Sequence, residues 1–527
     1  MSADDESEFL RRLLADPQVG MADPDGPGAV VGLVADGELC GVAARGLANI
    51  EHGVPISRET VFHVASVSKQ FTAYAVAVLA AEGALGLDDP VVAHLGWFPF
   101  GDVTVRHLIH HVSGLRDQWA LTVLSGRRME DVITTEDVLT LVAGQRELNF
   151  APGSQYSYSN TGYTLLGSIV EAVTGAGLRE FCAERIFGPL GMDNTTFLDD
   201  HHDIISRRAD SYYRRAGADG YGRIALSYSN AGATSLNTTV DDLARWAGHI
   251  MTPPAQALLQ DGYTLTDGTE LTYATGVVIG EYRGVPSLSH SGQDAGYRSF
   301  LLVLPEEKAA AIVLSNVADL PGQRLACAAI DRILPARENF PESGVTAAGA
   351  AMDGLAGRYV DDADIVYDVR LDDGQYTLRF STSAIRLRLA AQGRLVDDRL
   401  GFELAAAEAG IVLHPDHGAP RYCRRLDAGT AETADAGYAG TYFSRELDAI
   451  VHIETTPDGA LRLRRTGWGT IDLRLLAPGL FLASLRQPAG REDMLLTIRF
   501  STDRTELRLG HPQARRVRFV RFDQARR

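Results

Sequence analysis

A serine and a lysine three residues apart are the first candidates for chemistry in this chain. Ser66 and Lys69 bound the motif S-x-x-K at the start of a predicted helix that runs to about Glu82. Positions i and i+3 of a helix share one face, so the hydroxyl and the amine are expected within hydrogen-bond reach. A neutral amine can take the serine proton, and the helix N-terminus favours the negative charge that develops on the oxygen. Alone, the motif is more typical of a capping serine beside a surface lysine.

The rarity of lysine adds weight to this position. Of the 50 basic residues, only Lys69 and Lys308 are lysines and the remaining 48 are arginines. A guanidinium group does not lose its proton in proteins, so an arginine cannot act as the base. We therefore interpret Lys69 as a proton acceptor that the chain has kept for its chemistry.

A second motif, Tyr158-Ser159-Asn160, lies in a predicted polar loop. The tyrosine hydroxyl can relay a proton to a leaving group. The asparagine amide can orient both the lysine and a substrate carbonyl. A plain surface loop is the alternative for this motif taken alone.

A third motif, His290-Ser291-Gly292, opens a predicted strand. Glycine at a strand edge allows a substrate to lie against the backbone, and the N–H groups of Gln293 and Ser66 can then form an oxyanion hole. A lone loop histidine without function is the alternative here.

Together the three motifs resemble those of the penicillin-recognising serine hydrolases, which include class C β-lactamases, DD-peptidases, D-aminopeptidases and related esterases. The resemblance covers about residues 25–335 and includes the connecting segments Thr104–Leu115, Phe150–Gly167 and Arg185–Met192. It implies an α+β catalytic domain, in which an antiparallel sheet with flanking helices adjoins a helical region. The residues to which it assigns catalytic or binding roles are Ser66, Lys69, Tyr158, Asn160, His290 and Gly292.

Three features favour the D-aminopeptidase branch. His290 stands where the β-lactamases carry lysine, which speaks against β-lactamase activity, and Ser113–Gly126 is similar to a D-aminopeptidase segment. The overall domain plan is also similar to that of the D-aminopeptidases, which implies one catalytic domain followed by two eight-stranded barrels.

The C-terminal part of the chain independently predicts two antiparallel β-barrels. From about Gly344 the sequence changes to short alternating segments, and LAGRY at Leu355–Tyr359 recurs as YAGTY at Tyr438–Tyr442. Repeats of this size fit two small barrels in tandem, the first of them lipocalin-like. We predict a hydrolase domain over 1–343, a first barrel over 352–427 and a second over 437–527, with linkers at 344–351 and 428–436.

Composition limits the partners. A net charge of −18 disfavours nucleic acid and anionic lipid, because a phosphate partner would be repelled. The acidic N-terminal segment lacks the order of a secretory signal, and no apolar stretch is long enough to span a bilayer. The four cysteines are scattered without metal-ligand spacing. We therefore expect a cytoplasmic protein without membrane attachment; its oligomeric state stays open, a homodimer included.

The sequence thus predicts a serine hydrolase that forms an acyl-enzyme on small amides, short peptides or esters. No metal or organic cofactor is expected, because the serine supplies the covalent chemistry. The alternatives are an esterase or transacylase that uses the same site, and a penicillin-binding protein that acylates and turns over slowly. We further predict that the barrels restrict access to the active site, with Trp468 between Gly467 and Gly469 as a candidate gate; a place for Trp468 in the barrel core is the alternative.

Overall fold

The computed structural model describes residues 3–16, 23–215, 220–334, 354–390, 394–397, 402–414, 419–426, 436–486 and 493–522. The chain divides into two compact units. The first comprises Met1–Ser113, Glu130–Leu139 and Asn160–Phe340, and the second comprises Gly114–Met129, Thr140–Ser159 and Pro341–Arg527. The predicted domain boundaries at residues 343, 352 and 427, and most of both predicted linkers, lie outside the described residues.

The α-helices of the described residues precede the barrels in the sequence. They are α1 Ala3–Ala15, α2 Ser68–Ala81, α3 Val91–His94, α4 Val105–Ile109, α5 Gln118–Leu124, α6 Thr135–Gly144, α7 Asn160–Thr174, α8 Leu178–Cys182, α9 Gly188–Leu190, α10 Val240–Ile250, α11 Pro253–Leu259 and α12 Gly322–Ile330.

The strands that precede the barrels are mostly short. They are β1 Ala29–Ala35, β2 Glu38–Arg45, β3 Leu47–Asn49, β4 Val54–Pro55, β5 Phe62–His63, β6 Ile133–Thr134, β7 Thr196–Phe197, β8 Tyr212–Arg214, β9 Tyr221–Arg223, β10 Tyr228–Ser229, β11 Leu236–Thr238, β12 Val278–Tyr282, β13 Val285–Asp294, β14 Tyr297–Leu304 and β15 Ala309–Ser315.

Sixteen further strands form two closed barrels of eight strands each. The first barrel contains β16 Gly357–Val360, β17 Val366–Asp372, β18 Gln375–Phe380, β19 Ser383–Leu389, β20 Leu395–Val396, β21 Glu403–Ala407, β22 Gly410–His414 and β23 Arg421–Leu426. The second contains β24 Gly440–Ser444, β25 Ala449–Thr455, β26 Leu461–Arg465, β27 Gly469–Ala477, β28 Leu480–Leu485, β29 Met494–Phe500, β30 Glu506–His511 and β31 Ala514–Arg521.

The first unit is built on a six-stranded antiparallel sheet with the order β12-β13-β14-β15-β1-β2. Helices cover both of its faces. Leu33 of β1 packs with Leu10 of α1 and Leu325 of α12, whereas its neighbour Gly32 faces Val240 of α10 on the opposite side. Since successive residues of a strand point to opposite faces, a strand covered on both sides must be apolar throughout. Within this sheet β1 and β2 pair as an antiparallel hairpin, and β14 and β15 do the same.

The helix predicted after Ser66 begins slightly later than expected. Residues Ala65–Val67 form a 3₁₀ turn, and α2 follows directly at Ser68. Most of α2 is buried on all sides rather than along one stripe, because Ala73 and Val76 are buried as well as Phe71 and Leu79. A buried helix of this kind holds Lys69 in a fixed position, and the turn that precedes it does the same for Ser66.

The two tandem barrels are confirmed, and the sequence repeat marks equivalent positions in them. Tyr359 and Tyr442 are both buried near the start of the first strand of a barrel. Each donates its hydroxyl to the carbonyl four residues earlier, at 2.8 Å to Leu355 and at 2.9 Å to Tyr438. The repeat therefore encodes the same tyrosine–carbonyl hydrogen bond in both barrels.

Helix α5 forms part of the core of the second barrel, although it lies far away in the sequence. Leu121 and Leu124 are buried in one cluster with Leu463, Phe481 and other interior residues of that barrel. Asp117 caps the helix by accepting from the backbone N–H of Trp119 at 2.9 Å. The second unit thus includes this helix as a structural element of the barrel.

Candidate active site

The Ser66 turn has an unusual backbone at its first residue. Ala65 has a φ of +48°, in the left-handed region that residues other than glycine rarely adopt. Its carbonyl accepts from the Ser68 hydroxyl at 2.5 Å, and the same hydroxyl oxygen accepts from the N–H of Leu236 at 3.1 Å. These bonds hold a strained turn that presents the half-buried Ser66 at the start of α2.

Lys69 is completely buried and makes three hydrogen bonds through its amine. Nζ donates to Ser66 Oγ at 3.1 Å, to Asn160 Oδ1 at 2.8 Å and to the carbonyl oxygen of Ala233 at 2.7 Å. Nζ also lies 5.6 Å from the centre of the Tyr163 ring. In its charged form the amine donates to these three acceptors. In its neutral form two N–H bonds can serve Asn160 and Ala233, and the lone pair then faces the Ser66 hydroxyl.

Asn160 and Tyr158 occupy different structural settings although they share one motif. Asn160 is the first residue of α7 rather than a loop residue, and its side chain reaches Lys69 as described. Tyr158 lies in the irregular segment before that helix and belongs to the second unit. There its backbone carbonyl accepts from Gln513 Nε2 at 2.9 Å.

The His290 motif lies near the end of β13 and does not open the strand, as the sequence had suggested. The strand begins at Val285, because the tight turn at Arg283 and Gly284, both with positive φ, already starts a hairpin with β12. The motif therefore occupies the part of β13 that pairs with the first half of β14.

Gly292 allows β13 to approach the Ser66 turn. A Cβ atom at this position would lie 2.2 Å from the carbonyl oxygen of Val64 and 2.1 Å from Ser299 Oγ. Ser299 in turn donates its hydroxyl to that carbonyl at 2.7 Å. Any larger residue would push the strand away from the turn, so this glycine is a requirement for close packing. The next residue, Gln293, is exposed.

His290 is buried and holds a defined tautomer. Nδ1 lies 2.6 Å from the carbonyl oxygen of Ser291, and Nε2 lies 3.1 Å from the hydroxyl of Tyr273. Because a carbonyl oxygen can only accept, Nδ1 carries the proton, and Nε2 of the neutral ring accepts from the tyrosine. Tyr273 was not expected from the sequence, since it lies in an irregular segment without a recognisable motif.

The described contacts join three of the predicted residues directly, namely Ser66, Lys69 and Asn160. His290, Gly292 and Gln293 lie together on β13, and Gly292 connects that strand to the turn through Val64. The carbonyl of Ala233 is a further ligand of Lys69, and sequence reasoning missed it. A backbone carbonyl has no signature of its own; only the nearby Gly232, which has a φ of +109°, hints at a special conformation.

One group of side chains among the described residues has a spacing compatible with a metal ion. Ligand atoms of Asp200, His201 and His202 lie within 4.8 Å of one another. His201 Nδ1 instead contacts Ser229 Oγ at 2.7 Å, and His202 Nδ1 contacts the Asp200 carboxylate at 2.8 Å. Asp200 and His202 are exposed, and these mutual bonds account for the cluster as a surface loop.

Comparisons with known proteins identify the family. The family model described as Beta-lactamase matches residues 17–334. A D-aminopeptidase of Cereibacter sphaeroides is 30% identical over 524 residues, which cover 94% of this chain and 96% of that protein. A D-aminopeptidase of Brucella anthropi is 30% identical over 299 residues, which cover 55% of this chain and 56% of that protein.

Solved structures show the same fold. The octameric penicillin-binding protein homologue from Pyrococcus abyssi superposes with a TM-score of 0.55 at 20% identity and covers 99% of this chain and 100% of its own. The D-amino acid amidase from Ochrobactrum anthropi SV3 has a TM-score of 0.51 at 22% identity and covers 62% of this chain and 99% of its own. Among the residues described here, no helix has the length and apolar character needed to cross a bilayer. This chain belongs to the beta-lactamase family and is a D-aminopeptidase-like serine hydrolase.

Proposed function

We propose that this protein releases the N-terminal residue from short peptides and amides that begin with a D-amino acid, through an acyl-enzyme on Ser66. The observation that carries the proposal is the buried amine of Lys69, 3.1 Å from Ser66 Oγ. Similarity to the D-aminopeptidases of Cereibacter sphaeroides and Brucella anthropi supports the substrate class.

Acylation begins with Lys69 as a neutral amine. Its lone pair takes the proton of the Ser66 hydroxyl while Oγ forms a bond to the substrate carbonyl carbon. The carbonyl electron pair moves onto oxygen, and the N–H groups of Ser66 and Gln293 stabilise the resulting oxyanion. Asn160 accepts a hydrogen bond from the new ammonium group, as the backbone of Ala233 does, so the protonated lysine needs no water inside the protein.

The remaining steps return every proton to its origin. As the C–N bond breaks, Tyr158 donates a proton to the leaving amine and regains one from Lys69. Water then adds to the acyl carbon, and its proton passes to Tyr158 while Tyr158 returns one to Lys69. The bond between the acyl carbon and Ser66 Oγ breaks, Lys69 returns its proton to Oγ, and the free D-amino acid is released. Asn160 and His290 position the substrate during both halves of the reaction.

The experiment that tests the proposal compares D-alanine p-nitroanilide with its L enantiomer and with p-nitrophenyl acetate. We expect turnover of the D-anilide with a preference over the L-anilide of at least about a hundredfold, because stereochemistry decides whether the scissile carbonyl reaches the nucleophile. The Ser66→Ala variant is the control and should lack turnover. Ester hydrolysis without anilide hydrolysis would favour an esterase, and a single burst with a fluorescent penicillin would favour a penicillin-binding protein; either result would overturn the proposal.

We further propose that the reaction takes place in the cytoplasm. All four cysteines are free, and burial raises the pKa of the thiols of Cys40, Cys182, Cys327 and Cys423, which keeps them in the unreactive neutral form. Thiols that form no disulfide fit a reducing compartment. Recovery of the native protein in the periplasmic or extracellular fraction would contradict this location.

A further inference from the structure

A buried histidine and threonine meet a largely buried aspartate next to residues of the active site, and the mechanism above does not use these three side chains. His63 Nε2 lies 3.3 Å from Asp294 Oδ2 and 3.1 Å from Thr234 Oγ1. Thr234 donates its hydroxyl to the same carboxylate oxygen at 3.0 Å. His63 and Thr234 are 1% and 3% exposed, and the Asp294 side chain is 15% exposed, so solvent screens these bonds little.

Each member of this cluster adjoins a different part of the active site. His63 precedes the Ser66 turn by two residues and ends β5. Thr234 directly follows Ala233, whose carbonyl accepts from Lys69. Asp294 directly follows Gln293 at the end of β13. Three segments that are distant in the sequence therefore meet at one carboxylate.

We propose that His63, Thr234 and Asp294 form a buried brace that positions the Ser66 turn, the Lys69-binding carbonyl and the Gln293 backbone relative to one another. The three are positioning residues, since they act on the reaction through the neighbouring nucleophile, base and oxyanion hole. The brace rests on the proposed function only in that it serves the same site.

The electrostatics favour a neutral imidazole in this brace. Burial lowers the pKa of His63, and the smaller opposing effect of the Asp294 carboxylate does not offset it. The neutral ring with its proton on Nε2 donates toward Asp294 and Thr234. Its Nδ1 atom makes no hydrogen bond within the described residues. An unpaired lone pair at this buried atom costs less free energy than an unpaired N–H group would.

The geometry of the surroundings keeps the brace rigid. The ring of Tyr297 lies 5.3 Å from that of His63. Tyr297 pairs with Asp294 across the β13–β14 turn, and its hydroxyl donates to the carbonyl of Ala209 at 2.5 Å. On the other side, β5 pairs with β11 through His63 and Asn237. A displacement of Asp294 would therefore be transmitted to the strand that carries Gln293.

The test uses Asp294→Ala, which removes both acceptor oxygens, and Asp294→Asn, which keeps one. With p-nitrophenyl acetate, we expect Asp294→Ala to lower kcat about tenfold to a hundredfold and to change KM less than about threefold, because a small misplacement of reacting groups has effects of this size. Inhibition by phenylboronic acid, which forms a tetrahedral adduct on the serine, should weaken by a similar factor. Asp294→Asn should recover most of the lost turnover.

Asp242 provides a matched control. Its carboxylate is fully buried, and it accepts from the hydroxyl of Thr195 at 2.9 Å, as the largely buried Asp294 does from Thr234. We expect Asp242→Ala to lower thermal stability while kcat of the folded protein stays within about twofold of wild type. If Asp294→Ala does not fold, Thr234→Val takes its place in the comparison, because it removes the hydrogen bonds of the Thr234 hydroxyl with His63 and Asp294.

Three results would overturn the brace. The first is a wild-type kcat in Asp294→Ala. The second is a fall in kcat of Asp242→Ala as large as that of Asp294→Ala. The third is a kcat of Asp294→Asn as low as that of Asp294→Ala. These outcomes differ from failure of the proposed function, which would appear as activity in Ser66→Ala or as absent hydrolysis of D-alanine p-nitroanilide. If D-alanine p-nitroanilide is not hydrolysed, the brace can still be tested with p-nitrophenyl acetate.

Discussion

The indole N–H of Trp468 donates to the backbone carbonyl of Val123 at 3.1 Å. Val123 belongs to α5, whose apolar residues lie in the core of the second barrel. Trp468 is half-buried against that same cluster, and the guanidinium of Arg465 lies 5.0 Å from its ring. The loop that was predicted as a gate is thus anchored to a helix of its own unit.

This anchor gives a prediction for stability. Trp468→Phe removes one hydrogen bond and should lower the free energy of unfolding by about 1 kcal/mol, and Trp468→Ala should cost more because packing is lost as well. Urea denaturation followed by circular dichroism measures both. Equal stability of Trp468→Ala and wild type would show that the contact contributes nothing.

The gate hypothesis is better tested with Trp468→Ala than by deletion of residues 435–527. The deletion would expose Leu121 and Leu124 of α5, so we expect an aggregating protein. If the loop restricts access, the folded Trp468→Ala variant should accept bulkier amides. An unchanged substrate range would contradict the gate.

Tyr158 is expected to matter most for poor leaving groups. Tyr158→Phe should lower kcat for D-alanine p-nitroanilide by about a hundredfold or more, since an amine leaves only after it gains a proton. p-Nitrophenolate leaves without one, so acylation by the matching ester should fall far less. The ratio of the two rates is the readout. Equal losses on both substrates would contradict proton donation by this tyrosine.

Gln513 should influence turnover through the Tyr158 backbone. Its side chain donates to the Tyr158 carbonyl at 2.9 Å, while its own carbonyl accepts from the Asp117 N–H at 2.8 Å and from Asn149 at 3.1 Å. Gln513→Ala removes only the first bond, and we expect kcat to fall about tenfold with little change in KM.

The control for Gln513 is Gln375→Ala in the first barrel. Gln375 likewise donates to backbone carbonyls, those of Tyr376 and Leu387 at 2.9 and 2.8 Å. Its removal should leave kcat unchanged. Similar kinetics for the two variants would show that the Gln513 bond does not position Tyr158.

The sequence predicted local relationships well and long-range ones poorly. The contact of Lys69 with Ser66 follows from helical spacing, and the barrels follow from alternation and from an internal repeat. The place of α5 inside the second barrel core was not predictable, because its apolar face has no preferred partner in the sequence. The brace was missed for a similar reason: His63 and Asp294 are 231 residues apart, and neither belongs to a motif.

Buried histidines predict a loss of stability in acid. Burial lowers the pKa of His110 to about 4, so between its unfolded value near 6.5 and about 4 only the unfolded chain takes up this proton. The free energy of unfolding should therefore fall as the pH decreases through this window, by up to about 3 kcal/mol for this residue. In His110→Leu the pH dependence between 6.5 and 4 should be shallower. Parallel curves for variant and wild type would contradict this assignment.

The central claim is that Lys69 accepts the proton of Ser66, and Lys69→Arg tests it most directly. Arginine keeps the positive charge but cannot take up the proton, so steady-state hydrolysis of p-nitrophenyl acetate should fall about a thousandfold or more. Ser66→Ala should lose a similar factor, and the double variant little beyond either single one, because the two residues act as a unit. Circular dichroism confirms the fold of each variant. Near-wild-type hydrolysis by a folded Lys69→Arg variant would contradict the account.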